Sequence, residues 1–124
     1  MWIFTKYGMF SIVCARTGPS SIKLDKQRLM VRARSKRHLK NLRKRFKVLK
    51  STKIFSNTGT DYPFRLFVKK SVWLKIAAQL ADEIDYGNFK ATVSYDERYH
   101  DACHRVWSTM FSMDAPESST WELP

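Results

Sequence analysis

The chain has 124 residues, of which 44% are apolar, and carries a formal net charge of +12. This length fits a single domain, and eight Phe, five Tyr and four Trp provide enough apolar surface for a core, which excludes a disordered body. No apolar run approaches the about 20 residues of a membrane span, and the apolar start of the chain is too short for a signal peptide. Cys14 and Cys103 form no CxxC pair, which favours a reducing compartment over a disulfide scaffold.

The beginning of the chain predicts a β-hairpin. Residues 2–7 and 9–15 are rich in aromatic and β-branched side chains, and Gly8 between them can adopt the positive φ of a tight turn. Trp2 lies on an apolar stripe of this hairpin, as Trp73 and Trp107 do in later elements. We therefore expect these three tryptophans in the core.

The next predicted strand displays two arginines. After a loop of turn-forming residues at 17–21, residues 29–34 alternate between apolar and outward-facing positions. Arg32 and Arg34 therefore lie on the exposed side of the strand. The inward positions are Leu29, Val31 and Ala33.

An amphipathic helix with a cationic outer face is predicted after Ser35, which can cap it. The apolar stripe, at spacings of three and four residues, consists of Leu39, Leu42, Phe46 and Leu49. The outward positions are almost all basic: Lys36, Arg37, Lys40, Arg43, Lys44 and Lys47. Each pair of neighbouring like charges costs a helix about 0.2–0.5 kcal/mol, so a purely structural helix would gain from glutamates here.

A second hairpin is predicted from residues 53–56 and 62–68, which flank the Gly-containing loop 57–61. In its second strand, Arg65 and Phe67 point to one face, together with Pro63. The opposite, apolar face of that strand consists of Tyr62, Phe64, Leu66 and Val68.

Two further helices are predicted in the second half of the chain. The first is capped by Ser71 and ends near Gly87, and its apolar stripe consists of Trp73, Ile76, Ala77, Leu80 and Ile84. The second covers Asp96 to about Met113, and its apolar side consists of Tyr99, Cys103, Val106, Trp107 and Met110. Residues 114–124 have little periodicity and are expected to form a loose acidic tail.

This order of elements, β-β-β-α-β-β-α-α, predicts an α+β fold. Hairpins need no crossover connections and both long helices have a single apolar stripe, so we expect an antiparallel sheet of about five strands with helices on one face. The strand–helix–strand–strand–helix portion matches most of a ferredoxin-like unit, and the N-terminal hairpin can supply the missing edge. The expected single domain covers residues 1–113.

Several segments spread over residues 1–112 resemble a family of small uncharacterised proteins found in bacteria and their phages. The segments are Met1-Trp-Ile-Phe-Thr5 with Ser11-Ile-Val13, Leu29-Met-Val-Arg-Ala-Arg34, Asp61-Tyr62 with Phe64-Arg65 and Phe67-Val68, Ile84-Asp-Tyr86 with Asn88-Phe-Lys90, and Tyr99, His104 and Val106-Trp107. The resemblance implies a phage or bacterial origin, hence the cytoplasm of a bacterial host cell, and lends no activity. In that family the segment after Arg34 is usually mixed in charge, so the uniformly basic helix departs from the pattern.

The positive charge is concentrated in one third of the chain. Residues 16–53 contain fifteen Lys and Arg and one acid, Asp25, whereas the remainder holds eight basic and ten acidic residues. Solvated surfaces usually interleave both signs, so a block this one-sided indicates a polyanionic partner, with nucleic acid the first candidate. We expect the phosphate-binding groups to converge on one edge of the domain. They are Arg32, Arg34, Lys36, Arg37, Lys40, Arg43, Lys44, Lys47 and, as an extension, Arg65.

Two functions fit this charge. One is a small phage-encoded accessory protein that contacts the phosphate backbone of DNA or RNA; the strand at 64–68 lacks the aromatic motif of an RRM, so no strong sequence specificity is expected. The alternative is a phage-encoded inhibitor, of the anti-defence or anti-CRISPR kind, that docks the basic face on a host protein or nucleoprotein complex. Both functions use the same residues, neither involves a membrane, and the oligomeric state is open.

A metal site at His100 and His104 is the weaker interpretation of these residues. Their i,i+4 spacing, with Cys103 between them, can place two ligands on one helix face. However, neither the glutamate of a zincin nor a second ligand pair accompanies them. We therefore expect surface histidines, no metal and no cofactor.

The acids Asp82, Glu83 and Asp85 favour contact with the basic block over a catalytic cluster, because their place at a helix C-terminus calls for a cationic partner. No nucleophile–base or metal constellation is present, so no enzyme activity is expected. Trp121, an aromatic in the polar tail, is expected to anchor a partner.

Overall fold

The computed structural model describes residues 1–57 and 59–113. Contacts within the chain divide these residues into two compact units. The first is formed by Met1–Asp85, and the second begins at Tyr86. A single domain over residues 1–113 stays a prediction, and the tail predicted at 114–124 lies outside the described residues.

An antiparallel five-stranded sheet forms the centre of the first unit, with the strand order β1-β2-β3-β5-β4. This arrangement confirms the predicted α+β class. The elements of the unit are β1 (Trp2–Thr5), β2 (Gly8–Arg16), β3 (Leu24–Ala33), α1 (Lys36–Arg45), β4 (Phe55–Ser56), β5 (Phe64–Lys69) and α2 (Lys70–Asp82).

The connections between these strands are those of a ferredoxin-like unit. β5 lies between β3 and β4 and runs antiparallel to both, so β3 and β4 point in the same direction. This split β-α-β arrangement is followed by α2, as in a β-α-β-β-α-β fold. β2 pairs with the other side of β3 and occupies the place that a final strand after α2 would take.

Both helices of the first unit pack on one face of the sheet. Their apolar stripes meet the inward side chains of β2, β3 and β5, including the predicted inward positions Leu29, Val31 and Ala33. The buried cluster consists of Phe10, Ile12, Leu29, Val31, Ala33, Leu39, Leu42, Phe46, Leu49, Leu66, Val68, Trp73, Ile76 and Leu80. The opposite face of the sheet is covered by neither α1 nor α2.

The cationic helix is shorter than its pattern suggests. α1 ends at Arg45, where Phe46 adopts an extended backbone with φ −108° and ψ 101°, and a 3₁₀ turn follows at Lys47–Leu49. Phe46 and Leu49 are nevertheless buried, so the predicted apolar stripe continues through the break. Ser35 is the residue before the helix, as predicted, but its side chain makes no capping hydrogen bond.

Other boundaries also differ from the predictions, most clearly those of β3 and α2. β3 begins at Leu24 and not at 29, because its first half pairs with β2 beyond a register shift. α2 follows β5 directly, with Lys69 and not Ser71 at its N-cap, and it ends at Asp82, well before Gly87. Ile84 is consequently outside the helix and exposed.

Two of the three tryptophans expected in the core are exposed. Trp73 of α2 is buried, as predicted, whereas Trp2 is 71% exposed. Trp2 belongs to the edge strand β1 and is the register partner of Ser11, on the face that α1 and α2 leave uncovered. Trp107 is 51% exposed. Periodicity identifies a side of an element, and it does not show whether another element covers that side.

The second unit contains α3 (Phe89–Thr92) and α4 (Glu97–Phe111). The Asp96 carboxylate caps α4 by accepting the backbone N–H of Tyr99, which confirms the predicted start of this helix. Tyr99 and Cys103 are buried. The predicted apolar side fails further along, because Val106, Trp107 and Met110 are all exposed.

The turn between β1 and β2 depends on Gly8. The Thr5 hydroxyl accepts the backbone N–H groups of Tyr7 and Gly8, and Gly8 has a φ of +151°. The buried ring of His38 lies against this glycine, and its Nδ1 accepts the backbone N–H of Met9 at 3.3 Å. A Cβ at position 8 would lie 2.3 Å from Cγ of His38.

We expect Leu42→Ala to cost about 2–5 kcal/mol of stability, because its fully buried side chain would leave a cavity between α1 and the sheet. Urea unfolding followed by far-UV circular dichroism measures the change. Val48→Ala, at a 64% exposed position beside the same helix, is the control and should stay within about 0.5 kcal/mol of wild type.

Gly8→Ala should destabilise the protein by at least about 2 kcal/mol, since it combines an unfavourable φ with a clash against His38. Gly18→Ala is the matched control, because a Cβ at Gly18 meets nothing within 4 Å. Equal melting temperatures for the two variants would contradict the role assigned to the Gly8 turn.

Candidate nucleic-acid interface

Five of the predicted phosphate-binding residues form one exposed cationic surface on and just after α1. The apolar side of α1 faces the sheet, so the opposite side carries its charges into solvent, with Lys36, Lys40 and Lys44 in one i,i+4 line. Among the described residues, no carboxylate forms an ion pair with any of the five. We call this the helix surface; it consists of Lys36, Arg37, Lys40, Lys44 and Lys47.

Two other cations of the helix hold the fold together. Arg43 Nη1 donates to the backbone oxygen of Thr52 at 3.1 Å. Arg45 forms an ion pair with Glu83, whose second carboxylate oxygen accepts the Tyr7 hydroxyl at 2.8 Å. Burial, together with this hydrogen bond and the charge of Glu83, raises the pKa of Tyr7.

This cluster joins the end of α1, the β1–β2 turn and the end of α2. Glu83 thus contacts the basic block, as predicted for the late acids, whereas Asp82 and Asp85 are exposed. Arg45 is therefore paired with a carboxylate, whereas Arg43 has a neutral backbone acceptor and no carboxylate partner among the described residues.

Arg32 and Arg65 lie on the other side of the sheet. They are register partners on β3 and β5, and their side chains point to the face that α1 and α2 leave uncovered. Arg32 Nη2 donates to Ser11 Oγ at 2.7 Å, and Arg65 Nη2 donates to Thr60 Oγ1 at 3.0 Å. We call this face the sheet surface; it consists of Trp2, Ser11, Arg28, Met30, Arg32, Phe55, Arg65 and Phe67.

Arg34 lies just beyond the end of β3. Its guanidinium is 4.6 Å from the ring centroid of Tyr62, and that of Arg32 is 4.7 Å from the same centroid. Arg34 Nη1 also donates to the backbone oxygen of Asp61 at 3.1 Å. The buried Tyr62 ring therefore holds two guanidiniums at the margin of the sheet surface.

The predicted phosphate-binding residues thus belong to two surfaces and do not converge on one edge. α1 packs on one face of the sheet and turns its cations away from it, whereas Arg32 and Arg65 project from the opposite face. The prediction assumed that residues close together in the chain, at the end of β3 and in α1, also lie on the same side of the domain. However, the helix covers the core on one face of the sheet, and its outer face points away from the sheet on that side. A strand side chain that points away from the core lies on the opposite side.

The sheet surface also contains residues that the sequence analysis did not place there. Phe55 and Phe67 form an edge-to-face pair with ring centroids 5.7 Å apart. The Arg28 guanidinium is 4.4 Å from the centroid of Phe67, and Lys53 Nζ is 4.8 Å from that of Phe55. The alternation in residues 64–68 placed Phe67 beside Arg65, but only the strand register adds Phe55, Arg28 and Trp2.

On α4, His100 is partly exposed and His104 is exposed. No group of three or more His, Cys, Asp or Glu side chains in the described part of the chain is arranged to hold a metal ion. His104 stacks on Trp107 with ring centroids 5.7 Å apart, and burial raises the pKa of the Cys103 thiol. Trp121, the predicted partner anchor, lies outside the described residues.

No protein-family model, curated protein or solved structure matches the chain. The family resemblance of the sequence therefore stays a prediction. Within residues 1–57 and 59–113, no helix combines the length and the apolar character needed to cross a membrane.

Proposed function

We propose that the protein binds the phosphate backbone of nucleic acid with little dependence on base sequence, as a small phage-encoded accessory protein. The observation that carries this proposal is the helix surface, five exposed cations without a carboxylate partner among the described residues. Lys and Arg side chains in such an array neutralise phosphates and release the counterions condensed on the strand.

The composition of the helix surface favours backbone contact over base readout. Four of its five cations are lysines, which meet phosphates as point charges and lack the planar fork that recognises a guanine edge. The helix also carries one carboxamide, Asn41, whose Nδ2 already donates a hydrogen bond to the backbone oxygen of Tyr7 at 3.1 Å within the fold. Phosphate contacts fix position and carry no sequence information.

A phage-encoded inhibitor that docks on a host protein is the second candidate. The observation that favours it is the apolar, exposed part of α4, where Val106, Trp107, Met110 and Phe111 are 40–67% exposed. Exposed apolar groups of this extent are typical of protein interfaces. Pull-down from host lysate separates the candidates, because nucleic-acid-bridged partners are lost on nuclease digestion and a direct protein partner is retained.

Neutralising the helix surface should weaken nucleic-acid binding without harming the fold. If each of the five cations neutralises one phosphate, the wild-type log–log salt slope should be about −3.5 to −4.5. The triple variant Lys36→Gln, Lys40→Gln and Lys44→Gln should make this slope shallower by about 2 to 3. Anisotropy titrations of random-sequence strands over about 50–200 mM salt measure both slopes. The melting temperature should stay constant or rise, because like-charge repulsion is relieved.

A control variant with Lys75, Arg98 and Arg105 changed to Gln removes the same charge from exposed positions outside α1. It should lower affinity far less than the α1 variant. Equal losses would show that net charge alone attracts the strand, and no binding by the wild type at about 50 mM salt would overturn the proposal.

A further inference from the structure

One row of side chains crosses the whole sheet surface. Phe55 is the register partner of Arg65, Arg65 of Arg32, Arg32 of Ser11, and Ser11 of Trp2. Direct partners in an antiparallel sheet point to the same face, so the five side chains lie side by side across all five strands. The row has two guanidiniums at its centre and an aromatic ring at each end.

The central guanidiniums lack an anion. Like charges directly opposite each other destabilise a sheet, and no carboxylate among the described residues pairs with Arg32 or Arg65. The Nε atoms of both arginines are buried without a hydrogen-bond acceptor in the described part of the chain. Two adjacent guanidiniums without a carboxylate partner attract an anion such as a phosphate, whose oxygens accept N–H bonds from guanidinium groups.

The pair borders an open cavity of about 1110 Å³. Arg28, Met30, Arg32, Arg65 and Phe67 line one part of this cavity, and residues on the helix-covered side of the sheet, including Leu29, Trp73 and Ala77, line another part. Its lining combines cations with apolar and aromatic side chains. Such a cavity fits a ligand that carries both negative charge and flat apolar rings.

The aromatic ends of the row are accessible. Trp2 is 71% exposed and Phe55 is 42% exposed. Four steps between strands separate them, which at about 4.8 Å per step is roughly 19 Å. Exposed aromatic rings stack on bases irrespective of base identity, and an aromatic-bearing sheet face can hold roughly two or three bases.

We propose that the sheet surface binds single-stranded nucleic acid, with the guanidinium pair on a backbone phosphate and with Trp2 and Phe55 stacked on unpaired bases. The proposal deepens the proposed function and rests on it for the class of ligand, but it uses a different surface. In a duplex the bases stack on one another, so no base face is free to stack on the Trp2 and Phe55 rings. The helix surface therefore accepts single strands and duplexes, whereas the sheet surface selects single strands.

The test compares a labelled single strand of about 12 nucleotides with the duplex of the same sequence, by anisotropy. Trp2→Ala combined with Phe55→Ala should weaken single-strand binding at least about tenfold and change duplex binding less than about twofold. Ile22→Ala combined with Ile84→Ala, which also truncates two exposed apolar side chains, should change neither. Arg32→Gln combined with Arg65→Gln should weaken single-strand binding more than Lys75→Gln combined with Arg98→Gln, a change of equal charge.

Each result decides between the two surfaces. If the Trp2/Phe55 variant binds single strands as the wild type does, the sheet proposal is overturned, while weaker binding by the α1 variant still supports the proposed function. If the α1 variant binds both ligands unchanged and the sheet variants lose the single strand, the helix surface is overturned and the sheet surface stands. If an acidic peptide such as polyglutamate binds the sheet surface and single strands do not, the ligand is a protein and the proposal fails.

Thermal melts and circular dichroism check the fold of each variant. Trp2 is largely exposed and Phe55 is partly exposed beside Phe67, so their removal should lower the melting temperature only slightly and leave the fold intact. Should the double Arg→Gln variant unfold, Arg32→Lys combined with Arg65→Lys keeps the charge and removes the planar forks. That variant should still lose single-strand affinity relative to wild type, and full retention would contradict the role of the guanidinium pair.

Discussion

The apolar stripe of α1 packs against the sheet, and this contact determines where the charges of the first unit lie. Leu39, Leu42, Phe46 and Leu49 are at most 4% exposed. Burying one such side chain contributes roughly 1.5–3 kcal/mol, whereas each neighbouring pair of like charges on a helix costs about 0.2–0.5 kcal/mol. Hydrophobic packing therefore outweighs the repulsion among the lysines, and the helix can carry an almost purely cationic outer face. The same contact covers one face of the sheet and leaves the other to Arg32 and Arg65.

The cations of this protein differ in what surrounds them, and this difference separates charge that is paired within the fold from charge that is not. Arg45 forms an ion pair with the carboxylate of Glu83, and Arg43 donates a hydrogen bond to the backbone oxygen of Thr52. Arg32 and Arg65 have neutral acceptors only, and each keeps a buried Nε without one among the described residues. A count of basic residues treats all four alike. Of the four, Arg45 alone has a counter-charge among the described residues, and Arg32 and Arg65 are the two that we propose to contact phosphate.

The sequence predicts the faces of individual elements well and the relations between elements poorly. Alternation in residues 29–34 and the stripe of α1 identified the inward side chains, because burial of one side imposes a period of two on a strand and 3.6 on a helix. The row from Phe55 to Trp2 depends on strand register, which joins residues far apart in the chain and leaves no local pattern. Trp2 and Trp107 show the same limit of sequence-based prediction. The sequence identifies the apolar side of an element, but it does not show whether another element covers that side. The division of the cations between two surfaces can be recognised only when the position of α1 on the sheet is known.

The place of β5 between β3 and β4 has a consequence for the order of folding. β1, β2 and β3 follow one another along the chain as a meander, and their pairing closes short loops. β3 meets β5 only across the intervening segment, which contains α1 and β4. Closing that longer loop costs more chain entropy, and pairings distant in sequence slow folding. The meander can therefore form early, and docking of the β4–β5 hairpin on β3 completes the sheet. Arg32 and Arg65 meet only at that step, so the sheet surface exists as a unit only in the completed fold.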